Sequence, residues 1–157
     1  MRTFFLSLCV MTGFLLPVSA QTPTAPTPTA NGPVRLKLAH KQQAAFTTLL
    51  QAKTFAMGGV GVVGTTSAEE KAFRELLGTK QSVAVFNTLL EQAQPAGKIY
   101  ALLGLSVKDQ KAFLSAKNQI TNLGNIQVMS GCLVADESAP SLVEKIEKGV
   151  YSVTSTH

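Results

Sequence analysis

A mainly α fold, a small antiparallel helical bundle with a short β element from residues 59–66 and 126–134, is predicted by three observations. Phe-x-x-Leu-Leu occurs three times, as Phe46-Leu49-Leu50, Phe73-Leu76-Leu77 and Phe86-Leu89-Leu90. Offsets of three and four place each trio on one helical face. From residue 122 onward the apolar period shortens to two, as in NIQVMSGCLVADE, which is the alternation of a half-buried strand.

The chain before these elements reads differently. Arg2 precedes the apolar run Phe4–Leu16, and Val18-Ser19-Ala20 follows it with small residues where a signal peptidase cuts. Residues 1–20 are therefore expected to be a removed secretory signal peptide. The run is shorter than the ~20 residues a membrane span needs, so no transmembrane segment is expected after cleavage. Residues 21–33, QTPTAPTPTANGP, alternate Thr, Pro and Ala without a large apolar side chain. Such a segment cannot offset its ordering entropy by burial, and its prolines favour an extended linker. Residues 34–157 remain as a single helical domain.

Within that domain, the first helix spans about residues 38–53, with Ala45 extending its apolar stripe. The second starts at Ser67-Ala68-Glu69-Glu70, where Ser67 and Glu70 have the spacing of a capping box, and ends near Gly78. The third runs from about Ser82 to Gln94. Pro95 fits a first helical turn and opens a short helix, PAGKIYALLGL, with Ile99, Tyr100, Leu102, Leu103 and Leu105 inward. Ser106 and Asp109 start another, with Phe113 and Leu114 facing the core. A strand follows at about 126–134, with Ile126, Val128, Cys132 and Val134 on one face. Its expected partner is GVGVVGTT, residues 59–66, or else the tail GVYSVTST. Pro140 opens a last helix with Leu142, Val143 and Ile146 inward, which Gly149 stops.

Few residues point to chemistry. Gly59, Gly61 and Gly64 have the G-x-G-x-x-G spacing of a dinucleotide-binding turn. That turn needs a strand running into its first glycine and a helix beginning within the motif. Here a helical segment precedes, and the next helix cap is Ser67. We therefore assign the glycines to close backbone approach or unusual dihedrals, and expect no cofactor. Cys132 is the only cysteine beyond the signal-like segment, since Cys9 lies within it, so no internal disulfide is available to a mature chain. A nucleophilic cysteine needs a base and an orienting group. The two histidines, His40 and the terminal His157, are poorly placed for that. The flanking valines predict a buried thiol; exposed, it would invite a disulfide-linked dimer. Tyr100 reads as a core aromatic with its hydroxyl at the rim.

Other classes lack their signatures. No spaced His/Cys pair or acidic loop suggests a metal site, and Asp136-Glu137 reads as the approach to a helix. The net charge of +5 is spread without the long basic, aromatic-interleaved face of a nucleic-acid protein. The stretch PAGKIYALLGL after a preceding helix resembles one unit of a HEAT-like helical hairpin, over about residues 67–118. GGVG-V-VGTTSAEEKA, PAGKIYALLGL and MSGCLV together resemble a family of small secreted bacterial proteins of unknown function. That resemblance implies an exported, independently folding module and brings no activity. The expected function is a noncatalytic helical module in the bacterial periplasm or cell envelope, meeting a protein partner. The alternatives are a cysteine-dependent enzyme or redox protein using Cys132, and a small-ligand carrier using the Gly-rich turn and the Tyr100 region.

Overall fold

The computed structural model describes residues 36–151 and 153; the signal-like segment, the Thr/Pro-rich linker and His157 lie outside them. The described elements run α1 (His40–Leu50), β1 (Thr54–Phe55), β2 (Gly59–Val60), β3 (Thr65–Thr66), α2 (Ala68–Leu77), α3 (Ser82–Gln92), α4 (Pro95–Lys108), α5 (Gln110–Ile120), β4 (Asn125–Ser130), β5 (Leu133–Ser138) and α6 (Ala139–Glu147). The fold is mainly helical with a small three-stranded sheet, β1-β4-β5, and a two-stranded hairpin, β2-β3.

The helical stripes behave as the Phe-x-x-Leu-Leu spacing dictates. Phe73, Leu76, Phe86 and Leu89 are fully buried, and Phe46 and Leu49 join them. α4 is the central element: nine of its residues, from Ala96 to Leu105, are buried. It is apolar almost all round because α1, α2, α3, α5, α6 and the sheet all contact it. Two glycines permit this crowding. At Gly97 a side chain would overlap the Leu49 carbonyl oxygen, and at Gly104 it would overlap the Phe86 ring. α1 is further tied to the start of α4 by the Gln94 N–H donating to the Leu50 carbonyl at 3.0 Å.

Several boundaries move. α4 continues through Ser106 to Lys108, and α5 is started by Asp109 alone, whose carboxylate accepts from the Ala112 N–H at 3.0 Å. Ser106 instead donates to the Leu103 carbonyl inside α4. In α5, Phe113 is buried but Leu114 is half exposed, because one residue's rotation turns it off the core-facing stripe. The stretch 126–134 is two strands: β4 turns at Gly131-Cys132 and returns antiparallel as β5, with Ile126 opposite Glu137 and Ser130 opposite Leu133. Val134 therefore shares a face with Met129, not with Val128. Asp136 and Glu137 lie in β5 rather than in a helix approach. Glu137 still serves the start of α6, accepting from Ser141 Oγ at 2.6 Å and pairing with Lys145. Against a burial that works the other way, those two partners hold its carboxyl below the usual range.

β4's other neighbour is β1, in parallel register with Thr54 opposite Gln127 and Phe55 opposite Val128. Residues 59–66 touch β4 only at its end, where Val60 bridges Gly131. The tail contributes no strand among the described residues. Tyr151 instead packs edge-on against Phe55, with ring centroids 5.1 Å apart.

Candidate functional site

The strand pairing concentrates the unusual residues at one end of the sheet. From Phe55 to Val60 the chain advances five residues where β4 uses three, from Val128 to Gly131. The two extra residues form a bulge, and a bulge leaves ladder donors and acceptors without their strand partners. Helix side chains take those groups. The Tyr100 hydroxyl donates to the Ala56 carbonyl at 2.8 Å and accepts from the Ala56 N–H at 2.9 Å. Ser67 Oγ also donates to the Ala56 carbonyl, at 3.2 Å, and accepts from the Glu70 N–H at 2.9 Å as the cap of α2.

Glu70 completes the attachment. The capping-box spacing would send its carboxylate back to the Ser67 N–H. It turns instead to the bulge, where Oε2 accepts from the Gly58 N–H at 2.9 Å. Its other oxygen accepts from Arg74 Nε and Nη2 at 2.9 and 2.7 Å. Glu70 is 3 % exposed, a burial that only a fully partnered carboxylate tolerates. The Tyr100 hydroxyl is thus buried rather than at the rim. Burial, opposed by its bond to Ala56, pushes its pKa well above the usual tyrosine value.

Beyond this anchor the chain forms a four-residue turn, Gly61-Val62-Val63-Gly64, closed by the Gly64 N–H donating to the Gly61 carbonyl at 3.2 Å. Gly61 and Gly64 have φ of +72° and +65°, a region costly for any other residue here. A Cβ on Gly59 would lie 2.9 Å from the Gly64 Cα. The three glycines therefore shape a hairpin: β2 runs into a reversing turn and not into a helix, and α2 begins only at Ala68. Turn centres usually carry Asn, Asp, Gly or Ser. This one carries two β-branched aliphatics, 94 % and 86 % exposed.

The second turn lies beside the first. Gly61 N–H donates to the Gly131 carbonyl at 2.8 Å, and Gly131 N–H donates to the Gly59 carbonyl at 3.1 Å. The two sequence-predicted candidates, the glycine motif and Cys132, are thereby brought together. Cys132 is exposed, not buried, because it occupies the turn between β4 and β5 instead of a core-facing strand position. Leu133 and Val134 follow it, 76 % and 54 % exposed. His40 is distant in role, opening α1, which packs on α2, α3 and α4. Among the described residues no group of three or more His, Cys, Asp or Glu is gathered as for a metal. No described helix is long and apolar enough to cross a membrane. A thiol reagent added to the folded protein is expected to modify Cys132, because its side chain is exposed. Reaction only after unfolding would contradict its placement, and strongly accelerated reaction would revive a nucleophilic role.

A groove of about 370 Å³ runs from the Cys132 turn along the inner face of the sheet, lined among others by Phe55, Met57, Val128, Leu133 and Tyr151. The paired Glu137 and Lys145 also line it. Burial, with Glu137 adding to it, pushes the Tyr151 hydroxyl up to about 12.

Sequence reading missed Val62, Val63 and Leu133 as surface features and Glu70 as an anchor. The legible signal was GVVG, two bulky residues enclosed by glycines in a turn. Comparisons with protein-family models, with curated proteins and with solved structures find no match to this chain.

Proposed function

We propose that this chain is an exported, noncatalytic helical module that meets a protein partner in the bacterial periplasm or cell envelope through its paired turns. One observation carries the reading: two adjacent turns, fixed to each other by backbone hydrogen bonds, hold Val62, Val63 and Leu133 out to solvent. Large aliphatic groups held out at the surface mark interaction sites, and the buried Tyr100–Ala56 bonds with the partly buried Glu70–Gly58 bond anchor these turns. The signal-like residues 1–20 and the Thr/Pro-rich linker support export and tethering. The HEAT-like pairing belongs to the same reading; its support is the two-residue joint, Ala93-Gln94, and the close packing of α3 on α4.

The test is a photo-crosslinking amino acid placed at Val62 in producing cells, with the same probe at exposed Asn122 as control. Discrete covalent adducts from Val62 and none from Asn122 are expected. No adduct from Val62 would remove the reading. The groove beside Phe55 and Tyr151 favours a second reading, a small-ligand carrier, for which a metabolite panel should raise the melting temperature; a flat panel would discard it.

A further inference from the structure

We infer that Glu70 is a proton-operated latch for the β2-β3 hairpin, so that acid frees residues 58–66 while the helical core stays folded. The inference concerns the chain's own contacts and is independent of what the turns meet. Residues 58–66 include no buried residue, so burial does not fix them to the domain. Their fastenings are polar. The Gly58 N–H donates to Glu70 Oε2 at 2.9 Å, and two backbone bonds join Gly59 and Gly61 to Gly131. Gly131 itself sits in the exposed turn between β4 and β5. Among the hydrogen bonds of the described residues, only the one to Glu70 ties this segment to a helix. Segments held by few contacts and no core are the ones that open locally.

The latch is a charge. Glu70 is the one buried carboxylate among the described residues. Three N–H groups, one from Gly58 and two from Arg74, donate to it, and donors of that kind favour the ionised form. A proton on Glu70 cancels its pairing with Arg74 and weakens its hold on Gly58. Release needs no unfolding of α2. The Ser67 N–H stands at the capping-box spacing, so the side chain has a second partner on its own helix. Gly58, with φ of +88°, and Gly59 beside it give the root of the hairpin a hinge. Arg74 is the one charged group bonded to Glu70 among the described residues. Of the elements packed against α2, α1 carries His40 and Lys41, and Lys41 pairs with Glu75. α3 carries Glu91 alone, and residues 54–67 carry no charge. α4 carries Lys98, Lys108 and Tyr100, whose hydroxyl feels the Glu69 and Glu70 charges. The turn bearing Val62 and Val63 is therefore fastened to α2 only while Glu70 is ionised.

The deciding experiment is nuclear magnetic resonance of the nitrogen-15-labelled chain recovered from producing cells, titrated from pH 7 to about pH 3, a range in which carboxylic acids take up protons. The Gly58 amide proton should move upfield in one single-proton step. In the same step its exchange protection should fall roughly tenfold or more, as loss of a charge-assisted hydrogen bond implies, and residues 59–65 should lose their heteronuclear Overhauser enhancement. Amides of α4 should keep their protection throughout. Glu70→Gln should show the loosened hairpin already at pH 7 and lack the step, whereas Glu69→Gln should retain it. The wild-type titration decides alone if Glu70→Gln does not fold. Hairpin amides that stay ordered down to about pH 3, a core that melts in the same step, or a step that survives in Glu70→Gln would each overturn the inference.

Discussion

Gly97→Ala is expected to destabilise the domain by about 2–4 kcal/mol, against the ordinary gain of roughly 1 kcal/mol when alanine replaces glycine inside a helix. The sign is reversed by the α1–α4 approach. An added methyl group would overlap the Leu49 carbonyl oxygen and lie 2.8 Å from the Ala93 Cβ. A main-chain oxygen in a helix cannot turn aside as a flexible side chain can, so α1 must shift as a body. That shift strains the Gln94–Leu50 hydrogen bond and opens the packing beneath Phe46 and Leu49. A thermal melt should show a loss of about 10 °C or more for a domain of this size. Gly78→Ala is the matched control. Its φ is −75°, and the nearest atom to the new methyl lies 3.6 Å away. It should gain about 0.4–1 kcal/mol through the unfolded state. If the two substitutions shift the melt in the same direction, the close approach of α1 to α4 is wrong.

Tyr100→Phe should cost about 2–3 kcal/mol although the ring remains. The ring still packs on Phe55 and Phe73, with centroids 4.7 and 5.8 Å away. The loss comes from Ala56, which is 3 % exposed. Its carbonyl keeps Ser67 Oγ as a donor, but its N–H loses its acceptor, and an unpartnered buried donor costs about 1–3 kcal/mol. Hydrogen exchange should show the bulge and the glycine turn loosening first, because that bond ties them to α4. The hydroxyl also sets an alkaline limit. The folded state holds the Tyr100 proton above the usual value of 10.0, with burial the principal cause, while the unfolded chain releases it near there. Stability is therefore complete below about pH 10 and falls above it, by up to about 1.4 kcal/mol per pH unit for this one proton. Tyr151, raised to about 12 by burial, contributes in the same direction. Melts at rising pH should fall less steeply for Tyr100→Phe than for wild type. Equal slopes would mean that the hydroxyl is not buried.

The helices were readable because each carries its reason locally. Phe73, Leu76 and Leu77 fall on one face whatever they pack against, Ser67 caps α2 through its own neighbours, and Pro95 suits a first turn. The strands carried less. β1 has two residues and follows a helix, so its identity depends on β4, seventy-odd positions later. β5 reads LVADES, an exposed edge strand with little apolar alternation and no core to impose one. A valine flanking Cys132 looked like a continuing strand; the reversal at Gly131 became visible only through the pairing of Ser130 with Leu133.

The same division holds at the site. GxGxxG in residues 59–64 could be separated from a nucleotide turn by its spacing to Ser67, which is a local measurement. That the glycines lie beside Cys132, that Glu70 abandons its own helix cap for Gly58, and that Tyr100 closes a bulge forty-four residues away are facts of long-range contact. Composition and periodicity set which segments coil and which faces are oily, because those follow from covalent order and local sterics. Which side chains remain in water follows from the register of β4 with its two neighbours, and register is a property of the assembled sheet.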